Sequence, residues 1–271
     1  MKIRVEGLRP EQAHEAIGAA FEEIAQVHRL MSFHTRESDI SLLNREASVR
    51  PVPVHRWTLD VLRQALVFSA ATDGCFDITI GAELVEWGIL PRPAGAVSRP
   101  AGDWRDILIL SGGSVKFRRP VWIDFGGIAK GYAVDRAIAC LRRRGARRAV
   151  VNAGGDIRVS GARAEPIILD PGVLQCALPV LGLADGSVAG SGSERQRLRP
   201  HVDGVSRAAA PEGRFVCVVA ERCMVADALT KVVMAQGSRS APHLRRFGAT
   251  ACLHDPGDGW RSIGKRIGSM R

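Results

Sequence analysis

Residues 123–135 carry the types and spacing for anion chemistry. Ile123-Asp124-Phe125-Gly126-Gly127-Ile128-Ala129-Lys130-Gly131-Tyr132-Ala133-Val134-Asp135 reads as a strand end turning into a helix through two glycines. An aspartate precedes the turn and a lysine lies just inside the helix. Lacking Cβ atoms, Gly126 and Gly127 let a ligand approach the backbone, and the first free N–H groups of the helix favour an anion. Glycines that only turn a corner, with an internal Asp124–Lys130 ion pair, would give the same pattern.

A second segment, Ala226-Asp227-Ala228-Leu229-Thr230-Lys231, places an aspartate, a threonine and a lysine at i, i+3 and i+4. On the helix expected over 226–236 these side chains share one face. A carboxylate and a hydroxyl, with free backbone carbonyls nearby, suit a hard divalent cation such as Mg²⁺. The plainer reading makes Asp227 an acidic residue favoured at a helix N-terminus.

Helices and strands come in runs without regular βαβ alternation, which points to an α+β fold. Pro10 opens an amphipathic helix with Ala16, Ile17, Ala20, Phe21, Ile24, Val27 and Leu30 at helical spacing. Ser38 or Ser41 caps a short helix, and a further helix over 57–72 stops at Asp73-Gly74. Another short helix is expected over 79–88. Residues 91–102, rich in Pro, Gly and Ala, read as a surface loop. Strands are expected at 106–110, 114–118 and 121–124, then a helix over 128–144 ending at Gly145 as its C′ residue. Strands follow near 148–152, 156–160 and 166–169. Residues 171–210 read as irregular. A strand over 214–220, the Asp227 helix and a hairpin over 249–254 and 260–263 complete the chain.

The chain has 271 residues, 46% hydrophobic, which suffices for a packed core within a single large domain. No apolar run reaches the ~18 residues that a membrane-spanning helix needs. Residues Met1 to Gly7 read as a short strand with no apolar leader behind them. The six cysteines show no metal-ligand spacing and sit in apolar contexts, the usage of a reducing compartment. The net charge of +10 is largely arginine: Arg142, Arg143, Arg144, Arg147 and Arg148 cluster, and Arg261, Lys265, Arg266 and Arg271 lie at the end. An electrostatic funnel for an anionic dinucleotide, a nucleic-acid footprint and a solvated face all fit this pattern. No nucleic-acid-binding signature accompanies the charge, so nucleic acid is not expected as a partner.

Five ordered segments resemble the FAD:protein FMN transferase (ApbE-type) family. They are Met31 to Asn44; Phe76-Asp77-Ile78-Thr79-Ile80-Gly81 ending in Trp87-Gly88; the glycine junction; Val151-Asn152-Ala153-Gly154-Gly155-Asp156-Ile157; and Ala226 to Lys231. The resemblance implies an ApbE-like (T-fold-like) α+β fold of mixed sheets with packed helices, one domain over 1–271. It implies Mg²⁺-dependent flavinylation, in which a threonine hydroxyl of a target protein attacks the FMN-side phosphorus of FAD and AMP leaves. Family members are commonly exported, often as lipoproteins. The absent leader favours the cytoplasm here, or the periplasm if the N-terminus is incomplete.

For the site, the resemblance implies FAD contacts from Asp124, Gly126, Gly127 and Lys130, and from Trp87, Gly88 and Ile89. His34 stands where relatives place an aromatic residue beside the flavin ring. Ser191 and Gly192 correspond to an element whose backbone binds phosphate. Mg²⁺ is implied on Asp227 and on backbone carbonyls near Gly127 and Met224. The family's threonine ligand lies four residues after the aspartate; here that residue is Lys231, and Thr230 is the adjacent candidate. His201, in Pro200-His201-Val202-Asp203-Gly204, corresponds to the family's catalytic histidine as a general base. Its loop is one residue shorter and lacks a proline, and the family's "MGT" strand has no counterpart. An FAD pyrophosphatase and a non-catalytic flavin-binding protein remain the alternatives. The enzymatic reading requires the Asp227 helix and the diglycine corner to meet.

Overall fold

The computed structural model describes residues 1–93, 100–172, 178–192 and 201–264. The middle of the 91–102 loop, Cys176, Pro200, Lys265, Arg266 and Arg271 lie outside these described residues. The chain begins with strand β1 (Lys2–Glu6), helices α1 (Pro10–Met31) and α2 (Asp39–Glu46), strand β2 (Val52–Pro53), and helices α3 (Arg56–Ala71) and α4 (Gly81–Glu86). Strands β3 (Ile107–Ile109) and β4 (Ser114–Phe117) precede helix α5 (Ala129–Arg143). Then come β5 (Arg148–Asn152), β6 (Ile157–Ser160), β7 (Glu165–Ile168), β8 (Val180–Leu183), β9 (Gly186–Ser191) and β10 (Phe215–Ala220). Helices α6 (Cys223–Gln236) and α7 (Ala241–Arg246) lead to the hairpin β11 (Thr250–Asp255) and β12 (Gly259–Ile263). The mixed α+β class expected from the sequence is the class observed.

The chain divides into two compact units, residues 1–24, 130–201 and 210–271 in one and residues 25–129 and 202–209 in the other. In the first unit seven antiparallel strands form one sheet in the order β1-β5-β6-β9-β10-β11-β12. Successive side chains of a strand point to opposite faces, and β5 shows both faces buried. Ala149 and Val151 pack with Ala16 and Ala20 of α1 and with Val134, Ala137, Ile138 and Leu141 of α5. Val150 faces the other way, toward Leu169, Leu181 and Leu183 around the β7–β8 hairpin. Leu141 is fully buried, so Leu141→Ala costs about 2–5 kcal/mol. Helix α5 ends as expected: Gly145 has φ +87°, and the Ala146 N–H donates to the Leu141 carbonyl at 3.1 Å.

The region 171–210 departs from expectation, because β8 and β9 lie inside it and β9 is an interior strand of the sheet. Its sequence, Gly-Ser-Val-Ala-Gly-Ser, has only one β-branched residue; pairing with β6 and β10 makes it a strand. Part of the arginine cluster is neutralised within this unit: Arg148 pairs with Glu6 at 2.8 Å and Glu165 at 2.7 Å, Arg143 with Glu23, and Arg142 with Asp185.

In the second unit Ser38 caps α2 by accepting the Ser41 N–H at 3.1 Å. Helix α3 stops at the left-handed pair Asp73 and Gly74, with φ +51° and +83°. The core holds Ile40, Leu43, Leu62, Phe68, Phe117, Ile123, Phe125 and Ile128. The strand expected over 121–124 is not one. Asn44 takes the place of a neighbouring strand, its amide donating to the Ile123 carbonyl at 2.9 Å and accepting the Ile123 N–H at 2.7 Å. Trp122 and Asp124 bond the backbone of Gly81 and Ile78, so the segment is satisfied without a ladder.

Candidate active site

Helix α6 starts at Cys223, one turn earlier than its sequence pattern indicates, because a distant side chain caps it. The Asp135 carboxylate, on α5, accepts the N–H groups of Cys223 at 2.9 Å and Met224 at 3.1 Å. Asp227 is therefore not at the helix start, and the acidic cap expected of it is supplied by Asp135. Asp227 is fully buried, and its Oδ2 accepts the Gly131 N–H at 3.1 Å. A Cβ on Gly131 would lie 2.4 Å from the Cys223 carbonyl oxygen and 2.7 Å from the Met224 Cα. Only glycine lets α5 and α6 meet this closely, so the Asp227 helix reaches the helix that follows the diglycine corner.

Lys231 turns its ammonium into a cage of oxygens. Its Nζ lies 2.9 Å from Ser191 Oγ, 2.9 Å from Thr230 Oγ1 and 3.2 Å from Asp227 Oδ1. The hydroxyls complete the pattern: Thr230 donates to the Asp227 carbonyl at 2.7 Å, and Ser191 and Thr230 lie 2.8 Å apart. Three ammonium protons thus meet three oxygens. Burial works against the Asp227 charge, but Lys231, Lys130 and the Gly131 N–H outweigh it and hold the carboxyl below its ordinary range.

Lys130 pairs with Asp156 at 2.7 Å; the carboxylate is buried while half of the lysine side chain reaches solvent. Burial opposes the Lys130 charge, yet Asp227 and Asp156 hold its pKa above the ordinary value. Burial and the nearby Asp227 push Asp156 up to about 6 against the pull of Lys130. Among the described residues Asp156 Oδ1 has no hydrogen-bond partner. The ring of His201 is close-packed although the residue keeps some exposure, and its pKa is pulled down to about 3, by burial first and by Lys231 second. Gly192, following Ser191, has φ +76°, and a Cβ there would lie 2.2 Å from the Arg214 carbonyl oxygen. Met224 is buried in the first turn of α6. Among the described residues no three or more His, Cys, Asp or Glu side chains gather in a metal-binding group.

The remaining candidates belong to the second unit. Asp124 Oδ2 accepts the Gly126 N–H at 2.9 Å, and a Cβ on Gly126 would lie 2.7 Å from that same oxygen. Neither Gly126 nor Gly127 has a positive φ, and the only close neighbour of a Cβ on Gly126 is the movable end of the Asp124 side chain, so backbone geometry does not demand glycine at this corner. His34 is exposed, and its N–H donates to Ser32 Oγ at 3.2 Å. Trp87 ends α4 with 37% of its surface exposed, and Gly88 follows with φ +71° before Ile89. Sequence reasoning gave no role to Asp77, which is buried and accepts from Arg207 at 2.7 Å. Arg207 has φ +58°, a strained conformation that this pair and the Thr79 carbonyl, 3.2 Å away, hold in place.

The fold, an antiparallel seven-stranded sheet beside two abutting helices, has solved counterparts. The chain superimposes on the flavin transferase ApbE from Vibrio cholerae with a TM-score of 0.80 at 23% identity, over 99% of this chain and 94% of that one. It matches the ApbE protein from Thermotoga maritima with a TM-score of 0.80 at 25% identity, covering 96% and 91%. The fold is that of the ApbE proteins. The ApbE family model matches residues 1–253, and the chain belongs to that family. Similar proteins named FAD:protein FMN transferase include one from Treponema pallidum, 28% identical over 91% of this chain and 78% of its own length. Another, from Vibrio cholerae, is 26% identical over 79% and 71%.

Asp135 and Asp156 both lie within the family-like segments, but the sequence reading assigns neither a site role. Two signals marked them: Asp135 is an acidic residue among the apolar positions of α5, and Asp156 follows a glycine pair at a strand start.

Proposed function

We propose that this protein transfers the FMN moiety of FAD to a threonine hydroxyl of a target protein, releasing AMP. Residues 1–271 are assigned to this activity as one transferase domain made of the two interleaved units. The observation that carries the reading is the family match over residues 1–253, supported by a cluster of charge suited to a diphosphate where α5 and α6 abut.

The threonine oxygen forms a bond to the FMN-side phosphorus while the bond from that phosphorus to the AMP phosphate oxygen breaks. The threonine proton passes to His201. Burial first, and the Lys231 and Lys130 ammonium groups after it, hold this imidazole neutral against the pull of Asp227. An arriving diphosphate offsets their field and raises the basicity of the ring, which a general base requires. Lys130 lowers the cost of negative charge on the transferring phosphoryl and on the departing AMP. Asp227 fixes the junction of α5 and α6 through the Gly131 N–H. Ser191 and Gly192 are assigned to phosphate binding. Asp124, Gly126, Gly127, His34, Trp87, Gly88 and Ile89 are assigned to FAD contact.

Magnesium would draw on Asp227, Thr230 and backbone oxygens near Gly127 and Met224. In the first unit the side-chain oxygens of that set surround the Lys231 ammonium, so the donor set as it stands does not fit a second cation. No step is assigned to the metal.

Mass analysis of FAD and a threonine-bearing acceptor peptide after incubation with the protein, with and without Mg²⁺, tests the reading. A peptide carrying FMN, together with AMP, is the expected result. Free FMN and AMP without adduct would identify a pyrophosphatase, and intact bound FAD a flavin-binding protein; either overturns the transfer reading.

A further inference from the structure

The oxygens of Asp227, Thr230 and Ser191 converge on one point, and that point holds the Lys231 nitrogen. A carboxylate and two hydroxyls are the hard donors that a small divalent cation takes. Here each of them is matched to one ammonium N–H, and the Thr230 and Ser191 protons are turned to other oxygens. The Lys231 side chain is only 15% exposed and lies on the helical face of Asp227, so the ammonium has little water to retreat into. A divalent ion using the same oxygens would bring two charges against a fixed one in a poorly hydrated place, where repulsion is weakly screened.

We propose that the Lys231 ammonium is the resident cation of this site, held by Asp227, Thr230 and Ser191 in place of a divalent metal ion. Lys231 acts here as a positioning residue and a fixed charge: its N–H groups are spent on the protein, and its charge acts together with that of Lys130 on Asp227 and Asp156. The cation assignment stands without any turnover. Its extension, that FAD binds equally well without divalent metal, rests on the proposed transfer function.

Electron paramagnetic resonance of Mn²⁺ added to the ligand-free full chain tests the cation assignment. The wild-type protein is expected to bind no Mn²⁺ at one per chain at low-millimolar concentration. Lys231→Thr and Lys231→Met, checked for folding by circular dichroism, are each expected to bind one, and adding Asp227→Asn to either should abolish it. Binding of one Mn²⁺ by the wild type that Asp227→Asn removes overturns the proposal, as does failure of both folded variants to gain an ion. A wild-type measurement needs no variant: FAD affinity, read by flavin fluorescence, is expected to be the same in chelator and in Mg²⁺. Tightening by Mg²⁺ of about tenfold or more, ~1.4 kcal/mol, also overturns it. Absence of any FAD binding would instead count against the transfer function and leave the Mn²⁺ result to decide the cation.

Discussion

Asp135 and Cys223 are joined by a 2.9 Å hydrogen bond in which the backbone N–H at the start of α6 donates to a carboxylate on α5. The same carboxylate accepts from Met224 and pairs with Arg158. One side chain thereby ends the exposure of two helix donors and neutralises a guanidinium. Asp135→Ala should lower the unfolding free energy by about 1–3 kcal/mol, the range for a lost cap that leaves buried donors unmet. Urea denaturation measures this; a change within error would remove Asp135 from the helix start.

Gly131→Ala probes the abutment of α5 and α6. The new Cβ meets backbone atoms of Cys223 and Met224, which cannot turn aside as a flexible side chain would. A loss of about 1–3 kcal/mol is expected, the usual cost of forcing a methyl into a packed interior. Thermal melts of the variant and the parent decide it, and an unchanged midpoint would mean the helices separate freely.

His201 should give stability a pH dependence. Its pKa is pulled to about 3 in the folded chain, against 6.5 for an ordinary histidine. Between those values the unfolded chain binds a proton that the folded chain refuses, so stability is full above about pH 6.5 and falls as the pH drops toward 3. His201→Asn is expected to flatten that slope. Denaturation midpoints collected at several pH values across the window provide the comparison, and parallel curves for the two proteins would refute it.

Asp227→Asn keeps the shape of the side chain while removing its charge. Transfer of FMN to peptide should fall by about 100-fold or more, ~2.7 kcal/mol of transition-state stabilisation, through loss of the set geometry at the α5–α6 junction. Single-turnover mass analysis reads this, and retention of wild-type rates would take Asp227 out of the machinery.

Much of this fold was legible because its signals are local. Pro10 opens α1, Asp73-Gly74 stops α3 and Gly145 ends α5, each through backbone preferences of the residue itself. What escaped depended on partners far along the chain. Residues 121–124 looked like a strand until Asn44 supplied the bonds a neighbour would have made. Strand β9 lacks β propensity and exists through β6 and β10. In the site, the i, i+3, i+4 spacing did put Asp227, Thr230 and Lys231 together, and metal ligation was the chemistry it suggested. That Lys231 would fill the cage needed Ser191, a residue on another element.

The interleaving of the first unit bears on how the chain is made. Strand β1 finds its partner only when Asn152 has been synthesised, and the interior strand β10 is complete only at Ala220. Closing loops of that length costs entropy before any contact repays it, so this sheet assembles slowly. Strand β1 therefore waits with an unpaired edge until β5 follows, and its alternating Lys2, Arg4 and Glu6 are the charges that keep such an edge from pairing wrongly in the meantime.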